Sequence, residues 1–457
     1  MKNLNRHLAS FRDPSGFIYE KDGEIFRFVS STYRLHFEKL ISSGLYYELI
    51  EKKQLLPFEE LSENHTGQSD WLTTLRPLQI PFLNYAWEWS FEQLKDAALT
   101  TLAICKSALE KGMILKDATH FNIQFVNGNP LLIDTLSFEI YEEGSSWIAY
   151  RQFCECFLNP LLLASFCKME AHKLLLSYPE GVSTSHTSQW LPLSSKFNAS
   201  VLLHVHLHAK VSTKKNNIAG IKTKSFSKKS IFNILQSLDD CITKLKPDAG
   251  VSTWNNYYAE TIISNEYLAE KKKLVSSWLN TIKYTSALDL GANDGEFSML
   301  CSKEALVVAA DFDSSCISNL YTKLKHKKIS NIVPLVIDVS YPTPSMGWIN
   351  KEQPAFLSRK KFDLCLALAF FHHIVIGKNI TMEMMANFFA DRCNYLLIEF
   401  IPKTDPKVIE MLKSRKDIFQ NYSQEIFETA FSVYFAIQQK ESIPNSERTL
   451  YILQRRG

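Results

Sequence analysis

The chain has 457 residues, a formal net charge of only +3 and a hydrophobic content of 46%. Its length is about three times that of an ordinary domain, so we expect two folded domains rather than a disordered chain. The small net charge gives no field that would attract nucleic acid or a membrane surface. No apolar stretch approaches the about 18 residues of a membrane span, and nine scattered cysteines indicate a reducing compartment, so we expect a cytoplasmic protein.

The first predicted element is a β-hairpin. Residues 16–29 alternate between apolar and polar side chains around Asp22-Gly23, which is a strong hairpin signal. A helix is predicted over residues 89–111, where apolar residues recur at spacings of three and four. We therefore predict an α+β domain over residues 1–208.

The same half contains Asp117, Asn122 and Asp134. In protein kinases and their relatives, a catalytic Asp is followed five positions later by a metal-binding Asn, and a second metal-binding Asp follows the next hairpin. The spacing resembles that of a kinase, although no Gly-rich phosphate loop or Val-Ala-Ile-Lys-like strand precedes it. The alternative is that these residues only stabilise turns. We leave both open, and expect a substrate-binding or positioning role for this domain rather than phosphotransfer.

Three alternating histidines, His204, His206 and His208, follow. On a strand they would share one face and could bind zinc, but no fourth ligand is close in sequence, so we favour hydrogen-bonded histidines and expect no metal. Residues 209–248 form a basic linker or insertion. A nucleic-acid arm is the alternative, but its lysine-rich part offers no aromatic stacking platform beyond Phe226.

Residues 287–295 read Ala-Leu-Asp-Leu-Gly-Ala-Asn-Asp-Gly. An apolar strand that ends in Asp289 opens into a turn with Gly291 and Gly295. Such glycines let the backbone approach a ligand closely at the carboxyl edge of a parallel sheet, where open α/β folds bind nucleotides.

The ligand at this turn depends on the residue between the glycines. A dinucleotide site uses Gly-x-Gly-x-x-Gly, so that a pyrophosphate can lie on the helix N-terminus. Here Asn293 replaces the middle glycine and the acidic Asp294 follows it. This pattern disfavours a phosphate and suits the cationic sulfonium of S-adenosylmethionine.

Acidic residues also follow the next two predicted strands. Asp311 lies about 20 residues beyond the glycines, where a carboxylate can accept both ribose hydroxyls, and Asp313 is a second candidate. Asp338 follows the next strand, at a position from which a carboxylate can accept a hydrogen bond from the adenine amino group.

The last strands complete the sheet. Residues 362–369 and 395–398 read as buried strands, and the second of them ends at Glu399. Residues 431–437 and 449–453 are separated by a polar loop with no helical period, which predicts a hairpin. A parallel sheet closed by one reversed hairpin is the plan of class I methyltransferases.

The chain from about Trp254 onward resembles the class I S-adenosylmethionine-dependent methyltransferases, and in particular their nodulation-protein-related, NoeA-like branch. The resemblance to this branch is carried by residues 13–17, 93–99, 366–373 and 398–406. It implies a Rossmann-like, seven-stranded methyltransferase domain over residues 249–457 and methyl transfer from S-adenosylmethionine. It does not imply a particular acceptor.

Catalytic residues are harder to assign than cofactor-binding ones. Methyl transfer is an in-line displacement, so a base is needed only when the acceptor must lose a proton. His373, with His372 as the alternative, follows a strand end where a base would be useful, although a histidine there can also cap a turn. Tyr257 and Tyr258 are candidates for a lid that contacts the sulfonium by cation–π attraction. The alternative is an amphipathic helix that packs on the sheet.

The sequence excludes some classes of methyl acceptor. The chain lacks an Asn/Asp-Pro-Pro-Tyr-like motif after Ala369, which argues against nucleobase amino groups, and Cys365 lies inside a strand, away from a position for attack on cytosine. A small molecule, a carbohydrate or lipid-linked acceptor, or a protein side chain is left. The rival hypothesis is a kinase-related phosphotransferase or nucleotide-binding protein with a regulatory C-terminal domain. Both hypotheses predict an adenine ligand, so the identity of that ligand discriminates between them.

Overall fold

The computed structural model describes residues 4–210, 226–247, 265–413 and 416–457. Contacts divide the chain into two compact units, Met1–Gly250 with Ser345–Pro354, and Val251–Pro344 with Ala355–Gly457. Within the described ranges, no helix combines the length and the apolar character that crossing a membrane requires.

The first unit opens with a five-stranded sheet in the order β1-β2-β3-β5-β4. The strands are β1 Asn5–Arg6, β2 Gly16–Lys21, β3 Glu24–Ser30, β4 Phe58–Leu61 and β5 Trp71–Pro77. Strands β2 and β3 form the predicted hairpin. Asp22 and Gly23 between them have φ of 54° and 83°, the left-handed pair that a tight two-residue turn requires. Helices α1 Arg34–Ser42 and α2 Leu45–Glu51 connect β3 to β4.

The predicted long helix is α3, Phe91–Glu110. It begins at a capping box in which Ser90 and Gln93 bond each other's backbone, and it buries one apolar stripe that includes Leu94, Leu102 and Leu109. Four short strands follow it, β6 Met113–Leu115, β7 Ile123–Val126, β8 Asn129–Leu132 and β9 Phe138–Ile140, paired as β6 with β9 and β7 with β8.

The rest of the first unit is helical. Its short helices are α4 Tyr150–Phe153, α5 Asn159–Cys167, α6 Ala171–Ser177, α7 Thr184–Trp190 and α8 Ala199–Val201, with π-helical turns at Cys154–Leu158 and Leu202–Leu207. The basic stretch 209–248 includes a described helix, α9 Lys228–Lys244. This helix packs on α3, and Lys106 of α3 forms a 2.7 Å ion pair with Asp239.

The premise that the three histidines share one face of a strand is wrong, because they lie on and just after a π-helical turn. His204 is bonded to Tyr150 Oη and Ser237 Oγ at 2.8 and 2.9 Å, and His206 to two serine hydroxyls. Burial lowers the pKa of His204 to about 4. Among described residues no group of three or more His, Cys, Asp or Glu side chains is placed to hold a metal.

The second unit contains a seven-stranded sheet in the order β12-β11-β10-β13-β14-β16-β15. The strands are β10 Ser286–Leu290, β11 Leu306–Asp311, β12 Ile332–Val336, β13 Phe362–Ala367, β14 Cys393–Phe400, β15 Phe435–Ser442 and β16 Thr449–Arg455. All neighbours are parallel except β16, which runs antiparallel to both β14 and β15. The first five strands are buried along most of their length, as expected for a sheet covered on both faces.

In the described part of this unit, six helices accompany the sheet: α10 Asn265–Leu279, α11 Ser314–Lys327, α12 Phe371–Lys378, α13 Met382–Arg392, α14 Pro406–Lys413 and α15 Gln424–Ser432. The C-terminal hairpin was predicted to begin at residue 431, but its first strand begins at Phe435. Ser423 caps α15, and Phe427 and Phe431 lie four residues apart on its buried face, so the chain remains helical to Ser432.

Candidate functional site

The loop between β10 and the short 3₁₀ helix Ser298–Leu300 contains the predicted glycines. Gly291, Asn293 and Gly295 have φ of 73°, 49° and 78°, so all three adopt the left-handed conformation. A Cβ on Gly291 would lie 3.0 Å from Phe370 Cδ2, and one on Gly295 would lie 2.3 Å from a methyl group of Leu320. Gly295 therefore allows the loop to pack on α11, and Gly291 allows Phe370 to lie against the loop.

Asp311 connects the glycine loop to the turn that follows β11. Its Oδ2 accepts a hydrogen bond from Asn293 N, and its Oδ1 accepts one from Asp313 N, both at 2.9 Å. Burial raises the pKa of the Asp311 carboxyl to about 6, against the opposing effect of the amide hydrogen bonds. Sequence reasoning predicted the position of Asp311 at the end of β11, but not these two bonds.

The strand was predicted to end at Asp289, but β10 ends one residue later, at Leu290, so Asp289 lies within it. Only 2% of it is exposed, and it accepts a 2.6 Å hydrogen bond from Ser298 Oγ. Burial raises its pKa to about 6, and the charge of Asp311 adds to the rise. The sheet edge thus holds two buried carboxylates that make each other's ionisation less favourable.

The other acidic candidates have partners of their own. Asp313 Oδ1 accepts hydrogen bonds from Ser315 N and Cys316 N and so caps α11. Asp338 follows β12, where Ser340 and Lys378 contact it. Burial raises the pKa of Asp338, but these contacts outweigh it, so the pKa lies below the ordinary value.

Asp294 forms an ion pair with a lysine side chain of the same unit. Its Oδ2 lies 3.3 Å from Lys323 Nζ, and the neighbouring Glu296 pairs with both Lys272 and Lys323. These pairs tie the glycine loop to α10 and α11.

The two histidines lie in the first turn of α12, not at the strand end that sequence reasoning assumed. Their ring centroids are 4.0 Å apart. His372 is 1% exposed, and its Nδ1 has no hydrogen-bond partner within the described part of the chain. Burial, with the charge of Arg448, lowers the pKa of His373 to about 4, and burial lowers that of His372 well below its ordinary value. Both pKa values thus lie below that of an unperturbed imidazole, about 6.5.

Beside the histidines lies a buried ionic network that sequence reasoning missed. Glu399, at the end of β14, is fully buried and accepts hydrogen bonds from Tyr267 Oη, Lys271 Nζ and Ala369 N, each at 2.6 Å. Arg448 lies 3.6 Å from Glu399. Arg448 also forms a bidentate pair with Asp405, at 2.7 and 3.1 Å. The polar end of β14 was visible in the sequence, but its partners lie far away along the chain.

The first unit brings its three kinase-like positions together. Asn122 Nδ2 donates to Ser137 Oγ at 3.4 Å, and Ser137 Oγ donates to Asp134. Burial raises the pKa of Asp117, and the charge of Asp134 adds to this rise. Arg27 of β3 forms an ion pair with Asp134. The kinase-like fold stays a prediction.

Two predicted cofactor contacts, Tyr257 and Tyr258, lie outside the described residues. The described site therefore consists of the glycine loop, the carboxylates after the strands, the histidine pair and the ionic network, all of them in the second unit.

The strand order of the second unit, with a glycine loop after its first strand and a carboxylate after the next, is the fold of class I S-adenosylmethionine-dependent methyltransferases. No family model matches the chain. The chain is 32% identical over 461 residues to "Nodulation protein NoeA" of Rhizobium meliloti (strain 1021), with 98% of this chain and 96% of that protein covered. The chain belongs to the NoeA family.

Solved structures with similarity to the chain include the N-methyltransferase NodS from Bradyrhizobium japonicum WM9 in complex with S-adenosyl-L-homocysteine. NodS is 11% identical with a TM-score of 0.32, over 46% of this chain and 94% of that one. Another is the bifunctional kinase-methyltransferase WbdD, which is 19% identical with a TM-score of 0.28, over 45% of this chain and 43% of that one.

Proposed function

We propose that the protein is an S-adenosylmethionine-dependent methyltransferase whose cofactor site is the carboxyl edge of the β10–β14 sheet. The acceptor is a small molecule, a carbohydrate or lipid-linked compound, or a protein, in preference to nucleic acid. The observation that carries this proposal is the pair of buried carboxylates, Asp289 and Asp311, beside a left-handed glycine loop.

The chemistry of these groups fits the cofactor. S-adenosylmethionine carries a cationic sulfonium and a cationic amino group, and its ribose hydroxyls donate hydrogen bonds. Asp289 and Asp311 have pKa values raised to about 6 by burial, and neither forms an ion pair with a described residue. A cationic ligand would favour the ionised forms of both carboxylates.

In this proposal each carboxylate has its own role. Asp311 accepts the ribose hydroxyls while it continues to hold the backbone of Asn293 and Asp313, and Asp338 accepts from the adenine amino group. Asp289 lies nearest to the start of the glycine loop and balances positive charge. Gly291 and Gly295 give the loop its left-handed turns.

When bound, S-adenosylmethionine supplies an electrophilic methyl group. The chain's part is then to align the acceptor, exclude water and, where necessary, accept a proton. His373 is proposed as the proton acceptor and His372 as the alternative. Both are neutral at pH 7, because their pKa values are lowered by burial. A neutral imidazole can accept a proton, although a base with a pKa of about 4 suits an acceptor group that is itself acidified in the site.

The acceptor preference rests on the same sequence features as before, since no nucleobase motif is present. The name of the NoeA relative concerns nodulation. That name identifies no acceptor.

The proposal is tested by titrating S-adenosylmethionine into wild-type protein and the Asp311→Asn variant. Charged hydrogen bonds contribute about 1.5–3 kcal/mol each, so we expect affinity to fall at least about tenfold. Asp363→Asn is the matched control, because Asp363 also accepts two backbone hydrogen bonds, from Thr285 N and Ser286 N, but lies at the start of β13, at the opposite edge of the sheet. Equal affinity in all three proteins would exclude the proposed ribose site.

One observation favours the rival function, a kinase-related phosphotransferase or nucleotide-binding protein, and makes it worth testing. Asp117, Asn122 and Asp134 converge in the first unit, as the kinase-like spacing predicts. If they hold a nucleotide and a metal, wild-type protein should bind Mg-ATP and Asp134→Ala should not. We propose instead that the ion pair between Asp134 and Arg27 keeps Asp134 from a metal, so neither protein should bind.

A further inference from the structure

The turn between β13 and α12 contains a strained residue. Ala369 has φ of 52°, in the left-handed region that disfavours any residue with a Cβ. The next residue, Phe370, has its ring beside Gly291 of the glycine loop, so close that a Cβ on Gly291 would lie 3.0 Å from Phe370 Cδ2. The conformation of this turn therefore determines where Phe370 lies relative to the loop.

Glu399 is the side chain that holds this turn. Its Oε2 accepts a hydrogen bond from Ala369 N at 2.6 Å. The same oxygen accepts a second hydrogen bond from Lys271 Nζ, also at 2.6 Å. Its Oε1 accepts a hydrogen bond from Tyr267 Oη at 2.6 Å. Oε2 thus contacts both the turn and helix α10, whereas the Tyr267 bond of Oε1 is to α10 alone.

Stability alone is a weak reason for this arrangement. Glu399 is 0% exposed and Lys271 is 3% exposed, and buried ion pairs of this kind can often be replaced by apolar side chains without loss of stability. An apolar pair, however, could not accept the Ala369 N–H. The feature that only a hydrogen-bond acceptor at position 399 provides is the left-handed turn.

We infer that Glu399 is a positioning residue, which holds Ala369 in its left-handed conformation and so keeps Phe370 against Gly291 in the shape that binds the cofactor. The inference rests on the proposed function, because it assigns the glycine loop to S-adenosylmethionine. Glu399 itself acts through Ala369 and Phe370. The negative charge of Glu399 is maintained because the charges of Lys271 and Arg448 outweigh the effect of burial, so that its pKa lies below the ordinary value.

The test compares two double variants that differ only in whether position 399 can accept a hydrogen bond. Lys271→Met with Glu399→Leu removes the charges of the Lys271–Glu399 pair and the acceptor together, while Arg448 keeps Asp405 as its partner. Lys271→Met with Glu399→Gln removes the same charges but keeps a side-chain carbonyl for the Ala369 N–H. S-adenosylmethionine affinity is measured by calorimetry, and folding is checked by thermal unfolding.

We expect the Leu variant to bind S-adenosylmethionine about tenfold more weakly than the Gln variant, as the loss of one well-placed hydrogen bond implies. Adding Ala369→Gly to the Leu variant should restore most of the affinity, since glycine adopts the left-handed conformation at no steric cost. A merely structural role for Glu399 would not be rescued in this way, because glycine adds no packing.

Equal affinity in the Leu and Gln variants, or no rescue by Ala369→Gly, would overturn the inference. If the Leu variant does not fold, Glu399→Asp serves instead, since it keeps the charge but withdraws the carboxylate by one methylene. Its affinity should fall and be restored by Ala369→Gly, and wild-type affinity in Glu399→Asp would overturn the inference. Wild-type protein that binds no S-adenosylmethionine would contradict the proposed function instead, so the two failures are distinguishable.

Discussion

The two units each bring acidic residues together at a sheet or hairpin end, but the surroundings of those residues differ. In the first unit Asp134 already pairs with Arg27. In the second unit Asp289 and Asp311 form no ion pair with a described residue, and burial raises the pKa of each to about 6. A carboxylate that is already paired with a cation gains less from a cationic ligand than one that is buried without such a partner. The comparison therefore supports our proposal that the cationic ligand binds to the second unit.

The largest expected effect concerns the reaction that only the second unit should perform. Replacing His373 by Ala should lower the rate of methyl transfer by roughly 10²–10⁴-fold if His373 is a general base. S-adenosylmethionine affinity should stay within a few fold, because the proposed ribose and adenine contacts lie on other elements. Because the pKa of His373 is lowered to about 4, the wild-type rate at saturating S-adenosylmethionine should stay level from pH 8 to about 5 and fall below that. An acid limb near pH 6.5, or full activity in both His372→Ala and His373→Ala, would contradict this role.

The glycine loop offers the next largest effect. Gly291→Val should reduce S-adenosylmethionine affinity by at least about a hundredfold, because a β-branched residue is strained at φ of 73° and would contact Phe370. Gly377→Ala is a suitable control, since a Cβ there meets only a methionine methyl at 3.6 Å. Normal binding by Gly291→Val would show that the loop does not contact the cofactor.

The raised pKa values of Asp289 and Asp311 give a pH-dependent test. Each carboxyl has a pKa above its ordinary value, so it is ionised above about pH 6 and protonated below. S-adenosylmethionine binding requires the ionised forms, so affinity should be constant above pH 7. It should fall by about tenfold per pH unit for each group below pH 6. In Asp311→Asn the fall should be shallower, and calorimetry at a series of pH values that showed identical slopes would contradict the pKa argument.

The smallest effects should come from the first unit. Asp117→Ala should leave S-adenosylmethionine affinity unchanged, and wild-type protein should show no magnesium-dependent ATP turnover. Radiolabelled ATP and a thin-layer assay are sufficient. Robust turnover that disappears in Asp117→Ala would reverse the assignment of functions to the two units.

The sheet of the second unit could be predicted because its buried strands are short apolar runs, with polar residues at or near the strand ends, as at Asp311 and Glu399. Asp22-Gly23 and the helical period before Glu110 were equally local signals. The prediction failed for the conformation of the two histidine segments, residues 204–208 and residues 372–373. His373 lies in a helix because the chain turns at Ala369, and a left-handed alanine has no sequence signature.

The ionic network was invisible for a different reason. Lys271 is separated from Glu399 by 128 positions, and Tyr267 from Arg448 by 181. Local periodicity carries no information at such distances. The sequence could indicate that β14 ends in a carboxylate, but only the fold shows which cations and which backbone amide it contacts.

The most direct test of the account is the binding stoichiometry of S-adenosylmethionine in wild-type protein, Asp311→Asn and Asp117→Asn, measured by calorimetry on the full chain. The account predicts one equivalent bound by wild-type protein and Asp117→Asn with equal affinity, and at least about tenfold weaker binding by Asp311→Asn. Undiminished binding in Asp311→Asn, or binding that is lost in Asp117→Asn, would contradict the assignment of the cofactor to the second unit.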